Sequence, residues 1–131
     1  VAGMSEIENS TYHAFLYDGT TMNDLGTLGG ITSVAYGIND SGQVVGQSRL
    51  TDNSTDHAFL YDGSNMIDLN TLLPAGSGWV LWNANGINNS GQIVGRGYIS
   101  GEWHAFLMTP VPEPATLLLL GLGAVMLRRK G

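Results

Sequence analysis

Three histidines carry side chains that could bind a metal or act as a general base, and each heads the same short run. His13, His57 and His104 open His-Ala-Phe-Leu at 13–16, 57–60 and 104–107. One imidazole per copy of a repeated unit places the three a unit apart, too far to share one ion. The reading is therefore structural. Asp18-Gly19 and Asp62-Gly63 could suggest calcium, but the Asp-x-Asp-x-Asp spacing of a calcium loop is missing, and Asp-Gly is a hairpin turn dipeptide. Trp79, Trp82 and Trp103 lie near loops, where an indole can stack on a sugar ring. Aromatic residues also fill the gaps between packed sheets, and packing is the stronger reading. The chain has 0 cysteines, which removes disulfides, thiolate catalysis and Cys-based zinc sites. No Ser-His-Asp set, carboxylate pair or phosphate loop stands out. These residues point to a protein without catalysis, metal or cofactor.

The elements that must position those side chains are written twice. His57-Ala58-Phe59-Leu60-Tyr61-Asp62-Gly63 repeats residues 13–19 letter for letter, 44 positions on. Gly86-Ile87-Asn88-Asn89-Ser90-Gly91-Gln92-Ile93-Val94-Gly95 answers Gly37-Ile38-Asn39-Asp40-Ser41-Gly42-Gln43-Val44-Val45-Gly46. Self-similarity at this period points to propeller blades or a stacked array. Units start at 13, 57 and 104, after a partial unit at 1–12, and the repeat region spans 1–109.

Each full unit reads as four short strands: His13–Tyr17, Thr21–Leu28, Ser33–Ile38 and Gln43–Ser48 in the first copy. In the third strand Ala35 and Gly37 reappear as Ala84 and Gly86, whereas Val34 and Tyr36 become Asn83 and Asn85. Constancy on one face and variation on the other is the period of two of a half-buried strand. Asn39 and Asn88 begin the loops that close on Gly42 and Gly91, where an Asx side chain bonds local backbone and glycine takes a left-handed position. The second copy carries five extra residues between Leu72 and Gly86, around Leu73–Gly78, where a repeat array places insertions in loops. The fold class is all-β: antiparallel four-stranded repeats, propeller-like or in an open array.

Charge separates two parts. Residues 1–110 hold ten acids against Arg49 and Arg96, a net of −8, and the last 21 residues hold Glu113 against Arg128, Arg129 and Lys130, a net of +2. An acidic repeat region is a poor nucleic-acid binder. Val1-Ala2-Gly3-Met4-Ser5 lines up with Val44–Ser48, the end of a unit, so the chain reads as the C-terminal piece of a longer protein. It starts on a fourth strand and ends the repeats on a first; were little missing upstream, those two would complete a shared blade and close a ring.

The repeats resemble the HAF family of bacterial extracellular repeats over roughly residues 1–108, on His-Ala-Phe at 13–15, 57–59 and 104–106, Leu-Gly-Thr-Leu-Gly-Gly at 25–30 and both Gly-Ile-Asn…Gly-Gln stretches. That resemblance implies an extracellular setting and carries no settled activity.

From Val111 the composition changes. Residues 110–114 form a proline-rich hinge, and 115–131 an apolar run with a basic end. Ala115–Leu127, with Leu117, Leu118, Leu119, Leu120, Leu122, Val125 and Met126, holds thirteen uncharged residues and reads as a short helix in lipid. At about 1.5 Å per residue it falls short of the roughly 30 Å of a bilayer core. Arg128, Arg129 and Lys130 form a basic stop that stays cytoplasmic. A marginal anchor of this kind reads as a processing signal. It resembles a PEP-CTERM sorting signal, with Pro112, Glu113 and Pro114 as its signature. The resemblance implies an exosortase, a membrane-embedded cysteine transpeptidase, as partner, with cleavage near the signature. It also implies a transient stay in the inner membrane of a Gram-negative host and an exopolysaccharide or biofilm programme.

The expected function is an exported, non-catalytic repeat protein of the bacterial surface or exopolysaccharide matrix, with extracellular polysaccharide as a further partner. The alternative is a glycan-binding or glycan-acting secreted propeller whose active blades lie outside this chain.

Overall fold

The computed structural model describes residues 1–110 and the backbone of 117–121. Among the described residues, eleven strands form three antiparallel sheets. The first holds β1 (Ala2–Glu8), β2 (Thr11–Tyr17) and β3 (Met22–Gly26). The second holds β4 (Ser33–Ile38), β5 (Val44–Arg49), β6 (Asp56–Tyr61) and β7 (Met66–Asp68). The third holds β8 (Trp79–Ile87), β9 (Ile93–Ile99), β10 (Glu102–Pro110) and β11 (Leu117–Gly121). The all-β antiparallel architecture agrees with the sequence, and the described residues form no closed propeller or barrel. Three sheets are fewer than the four to eight blades a propeller ring uses. β1 and β10 lie in different sheets, so the shared closing blade does not arise.

The sheets cut across the expected units. A unit starting at His13 places β2 and β3 in one sheet and β4 and β5 in the next, with the crossing at Leu28-Gly29-Gly30. The equivalent crossing from β7 to β8 passes through a single 3-10 turn at Leu69–Leu72 and the Leu73–Gly78 insertion. β1 stands where β5 and β9 stand: Gly3 faces Phe15 as Gly46 faces Phe59 and Gly95 faces Phe106. The alignment of Val1–Ser5 with Val44–Ser48 is therefore a structural equivalence.

Alternating side chains build two cores. Ala14, Leu25, Ala35, Val44 and Phe59 fill the gap between the first and second sheets. Val45, Ala58, Leu60, Leu69, Trp79, Leu81, Ala84, Ile93, Phe106 and Met108 fill the gap between the second and third. Neighbours such as Val44 and Val45, or Ala58 and Phe59, enter opposite cores, so the middle sheet is buried on both faces. The recurring Ala35 and Ala84 are buried, and the variable Tyr36 and Asn85 are exposed bulge residues opposite Gly46 and Gly95. A Cβ on Gly37 would stand 3.1 Å from Gly86 Cα, which accounts for a glycine where the two sheets approach.

The two Asn-to-Gly loops are the same object. Asn39 Oδ1 accepts from Ser41 N and Gln43 N at 3.1 and 3.0 Å, and Asn88 Oδ1 accepts from Ser90 N and Gln92 N at 3.0 and 2.9 Å. Gly42 and Gly91 both take φ +81°, donating to Asn39 O and Asn88 O. The loops also touch: Asn39 Nδ2 donates to Asn88 O at 3.0 Å, and Asn89 Oδ1 accepts from Asp40 N at 2.8 Å. Gly42→Val forces a β-branched residue into the left-handed region and is expected to lower the urea midpoint by about 1–3 kcal/mol of stability. An unchanged midpoint would contradict the turn.

The apolar helix expected over Ala115–Leu127 is corrected at Leu117–Gly121, which is strand β11. The edge of β10 offers unpaired amides and carbonyls, and an extended leucine run satisfies them, whereas a helix this short gains little in water. Pro112, Glu113, Pro114, Ala115, Leu122, Val125, Met126, Leu127, Arg128, Arg129 and Lys130 lie outside the described residues. Among those described, no helix is long and apolar enough to cross a membrane.

Candidate functional sites: histidine clasps, an aromatic cluster and the sorting segment

Each of the first two histidines is clasped by an aspartate eleven residues on. His13 Nδ1 lies 2.9 and 3.0 Å from the two oxygens of Asp24, and His57 Nδ1 lies 2.8 Å from Asp68 Oδ2. The clasp joins the start of β2 or β6 to the end of β3 or β7. The carboxylates are held in turn: Asp24 Oδ1 accepts from Gly26 N at 2.8 Å, and Asp68 Oδ1 from Asn70 N at 2.9 Å. Asn70 then bridges to the next sheet, donating to Leu81 O at 2.9 Å and accepting from Leu81 N at 2.8 Å. Ser33, buried, makes the matching link between the first two sheets, accepting from Ala14 N and donating to Gly26 O. The clasps thus close strand pairs within a sheet, and Ser33 and Asn70 tie each sheet to its neighbour.

A carboxylate on Nδ1 fixes the tautomer that leaves Nε2 as acceptor, the arrangement of a general base. Among the described residues no hydroxyl is hydrogen-bonded to either ring, and no three metal-capable side chains converge. His104 is different. Its only acidic neighbour among the described residues is Glu102, at 3.6 Å from Nε2. The aspartate partners were legible in principle, because the spacing His13–Asp24 and His57–Asp68 is the same in both copies.

Electrostatics reinforces the turns. Burial works against the Asp68 charge, but the His57 and Asn70 hydrogen bonds outweigh it and hold the carboxyl below the ordinary 3.8. Backbone amides at Thr21 and Thr20 lower Asp18, and those at Asn65 and Ser64 lower Asp62. The Thr55 hydroxyl, then the Ser54 and Thr55 amides, bring Asp52 down to about 2. All four bind a proton less readily folded than unfolded, so their stabilisation is complete above the unfolded value and is lost as pH falls through the folded values. A urea midpoint that is flat from neutral pH to about pH 5 and falls from there towards pH 2 is expected. A midpoint that rises on acidification would contradict this.

The tryptophans divide. Trp79 is 5% exposed and meets His104 and Phe106 edge-on with ring centres 6.4 and 6.5 Å away, which is core packing. Trp103 is 41% exposed in a cluster with Tyr98 at 4.2 Å, Trp82 at 5.6 Å and the Arg96 guanidinium at 4.6 Å. One open groove, about 460 Å³, lies between the first and second sheets beside Tyr17, Ile38 and Asn39, and another, about 320 Å³, lies on the third sheet beside Ile87, Asn88 and Leu107.

The array of clasped sheets with a C-terminal segment pinned to its last edge defines a β-repeat body that carries a separate tail. The tail at residues 110–130 matches the PEP-CTERM protein-sorting motif, which marks an exported protein that passes through the membrane and is sorted by an exosortase. The body matches over residues 15–102, and the chain belongs to the family described as Protein of unknown function (DUF3466). No curated protein and no solved structure matches the chain.

Proposed function

We propose that the mature protein is a non-catalytic component of the bacterial cell surface or exopolysaccharide matrix, delivered by exosortase cleavage near Pro112-Glu113-Pro114. The observation that supports delivery is the sorting motif, matched at 110–130 beyond a body of stacked sheets. In this reading Arg128, Arg129 and Lys130 hold the tail at the cytoplasmic face of a Gram-negative inner membrane, and Ala115–Leu127 becomes helical once in lipid. The resemblance of the His-Ala-Phe repeats to extracellular HAF repeats agrees with this setting. A matrix role is favoured because the body offers the same Asn-to-Gly loop at equivalent places of the second and third sheets, which suits a repeating polymer. Its clasped histidines recur as fold positions, and among the described residues the serines across from them, Ser5 and Ser48, are not hydrogen-bonded to either ring.

The cluster of exposed Arg96 and Trp103 with half-buried Trp82 and Tyr98 favours a second reading, a glycan-binding surface, since aromatic faces and edges are what sugar rings meet. Pro112→Ala with Pro114→Ala is expected to leave a full-length, inner-membrane form in the host, read by cell fractionation and intact mass. Unchanged maturation of that variant would sink the sorting reading.

A further inference from the structure

The leucine run of the sorting segment occupies a slot that belongs to the repeat. β11 pairs with β10 so that Phe106 faces Gly121, Leu107 faces Leu120 and Met108 faces Leu119. The same edge takes β3 in the first sheet, with Phe15 facing Asp24 and Tyr17 facing Met22. In the second it takes β7, with Phe59 facing Asp68 and Tyr61 facing Met66. The segment therefore sits in the register of the repeat's own closing strand.

Two departures mark it as a stand-in. Gly121 stands where both other sheets place the aspartate that clasps a histidine, and among the described residues His104 has only Glu102, at 3.6 Å. β2 and β6 stop at Tyr17 and Tyr61, before an Asp-Gly turn, whereas β10 runs on through Thr109 and Pro110, which face Leu118 and Leu117. The Pro-Glu-Pro signature at 112–114 falls in the connection between the two paired strands.

We propose that the outer edge of β10 is a strand-acceptor site whose occupant is this chain's own leucine run, and that docking there competes with entry of the same run into a membrane. A segment cannot serve as a sheet strand and a lipid helix at once. Docked, the backbone groups on one side of it pair with β10 and those on the other can meet water; in a bilayer all of them must be satisfied within a helix. Release uncovers an unpaired edge on a strand whose Phe106 and Met108 belong to the core. A ligand that prefers one of two such states shifts the population towards it, and here the ligand is the lipid surface. The consequence for processing, that docking withholds the signal from the exosortase, rests on the sorting reading; the docking does not.

The absence of cysteine makes the test clean. Leu107→Cys/Leu120→Cys and Met108→Cys/Leu119→Cys place thiols on adjacent cross-strand pairs, whose Cα separations alternate between about 4.5 and 5.5 Å, both within disulfide reach. In the full chain, in lipid-free buffer with oxidised glutathione, at least one pair should close into an intramolecular bridge at monomer mass. The off-register pair Leu107→Cys/Ala124→Cys should close several-fold less. Vesicles of phosphatidylethanolamine and phosphatidylglycerol, added before the oxidant, should lower the yield of the in-register bridge. No in-register bridge from either pair, or equal closure of the off-register pair, overturns the docking. A yield unmoved by vesicles overturns the competition. Neither readout uses an exosortase, so failure here is distinct from failure of the Pro112→Ala/Pro114→Ala maturation test.

Discussion

Gly95→Val is expected to destabilise the chain by about 3 kcal/mol or more, or to prevent folding, read as the urea midpoint of strand circular dichroism. A Cβ at Gly95 would run into Asn83 O, and would come 2.8 Å from both Ala84 Cα and Phe106 Cε2. Backbone on the neighbouring strand and an aromatic ring above leave no direction in which to yield. Gly46→Val should behave alike, because its Cβ would meet Val34 O and come 2.9 Å from Ala35 Cα. The effect belongs to space at the bulge, so Gly86→Ala, whose Cβ meets only Val94 Cγ2 at 3.5 Å, is the control and should cost less than about 1 kcal/mol. A Gly95→Val protein with an unshifted midpoint would contradict the close approach of β8 and β9.

The second large effect sits on the other side of the same pair. Phe59 and Phe106 are 0% exposed and lie across from Gly46 and Gly95. Removing either ring leaves a cavity against a glycine that cannot refill it, and Phe59→Ala and Phe106→Ala should each cost about 3–5 kcal/mol. Phe15, across from Gly3 in the three-stranded first sheet, is only half-buried, so Phe15→Ala should cost clearly less. Equal losses at all three positions would mean that the three Gly-Phe pairs do not differ in burial as the sheets require.

Those pairs show how much of the fold was legible. Ser33–Ile38 is a strand with the bounds its alternation indicates, and both Asn-to-Gly loops take the conformation their residues dictate. Sheet membership was not legible, because a period of 44 residues can be cut anywhere, and where the chain crosses between sheets is decided by packing. The cut falls at Leu28-Gly29-Gly30, inside the unit that starts at His13. Pairing of His13 with Asp24 and of His57 with Asp68 was written in the spacing, but a strand pair separated by a turn had to be assumed before that spacing meant contact. At Leu117–Gly121 hydropathy alone does not separate strand from helix in a short apolar run, and an open edge at β10 decided it. The sorting signature needed no fold at all. Its proline, acid and basic residues are recognised in order along the chain.

The central claim is that the repeat body is delivered outside the cytoplasm and separated from its tail. Intact mass of the natural product, taken from the host with and without its exosortase, tests that most directly. Loss of the segment beyond about Pro112, seen only when the enzyme is present, is the predicted result. The same full-length mass in both strains would contradict it, leaving the tail an anchor that nothing removes.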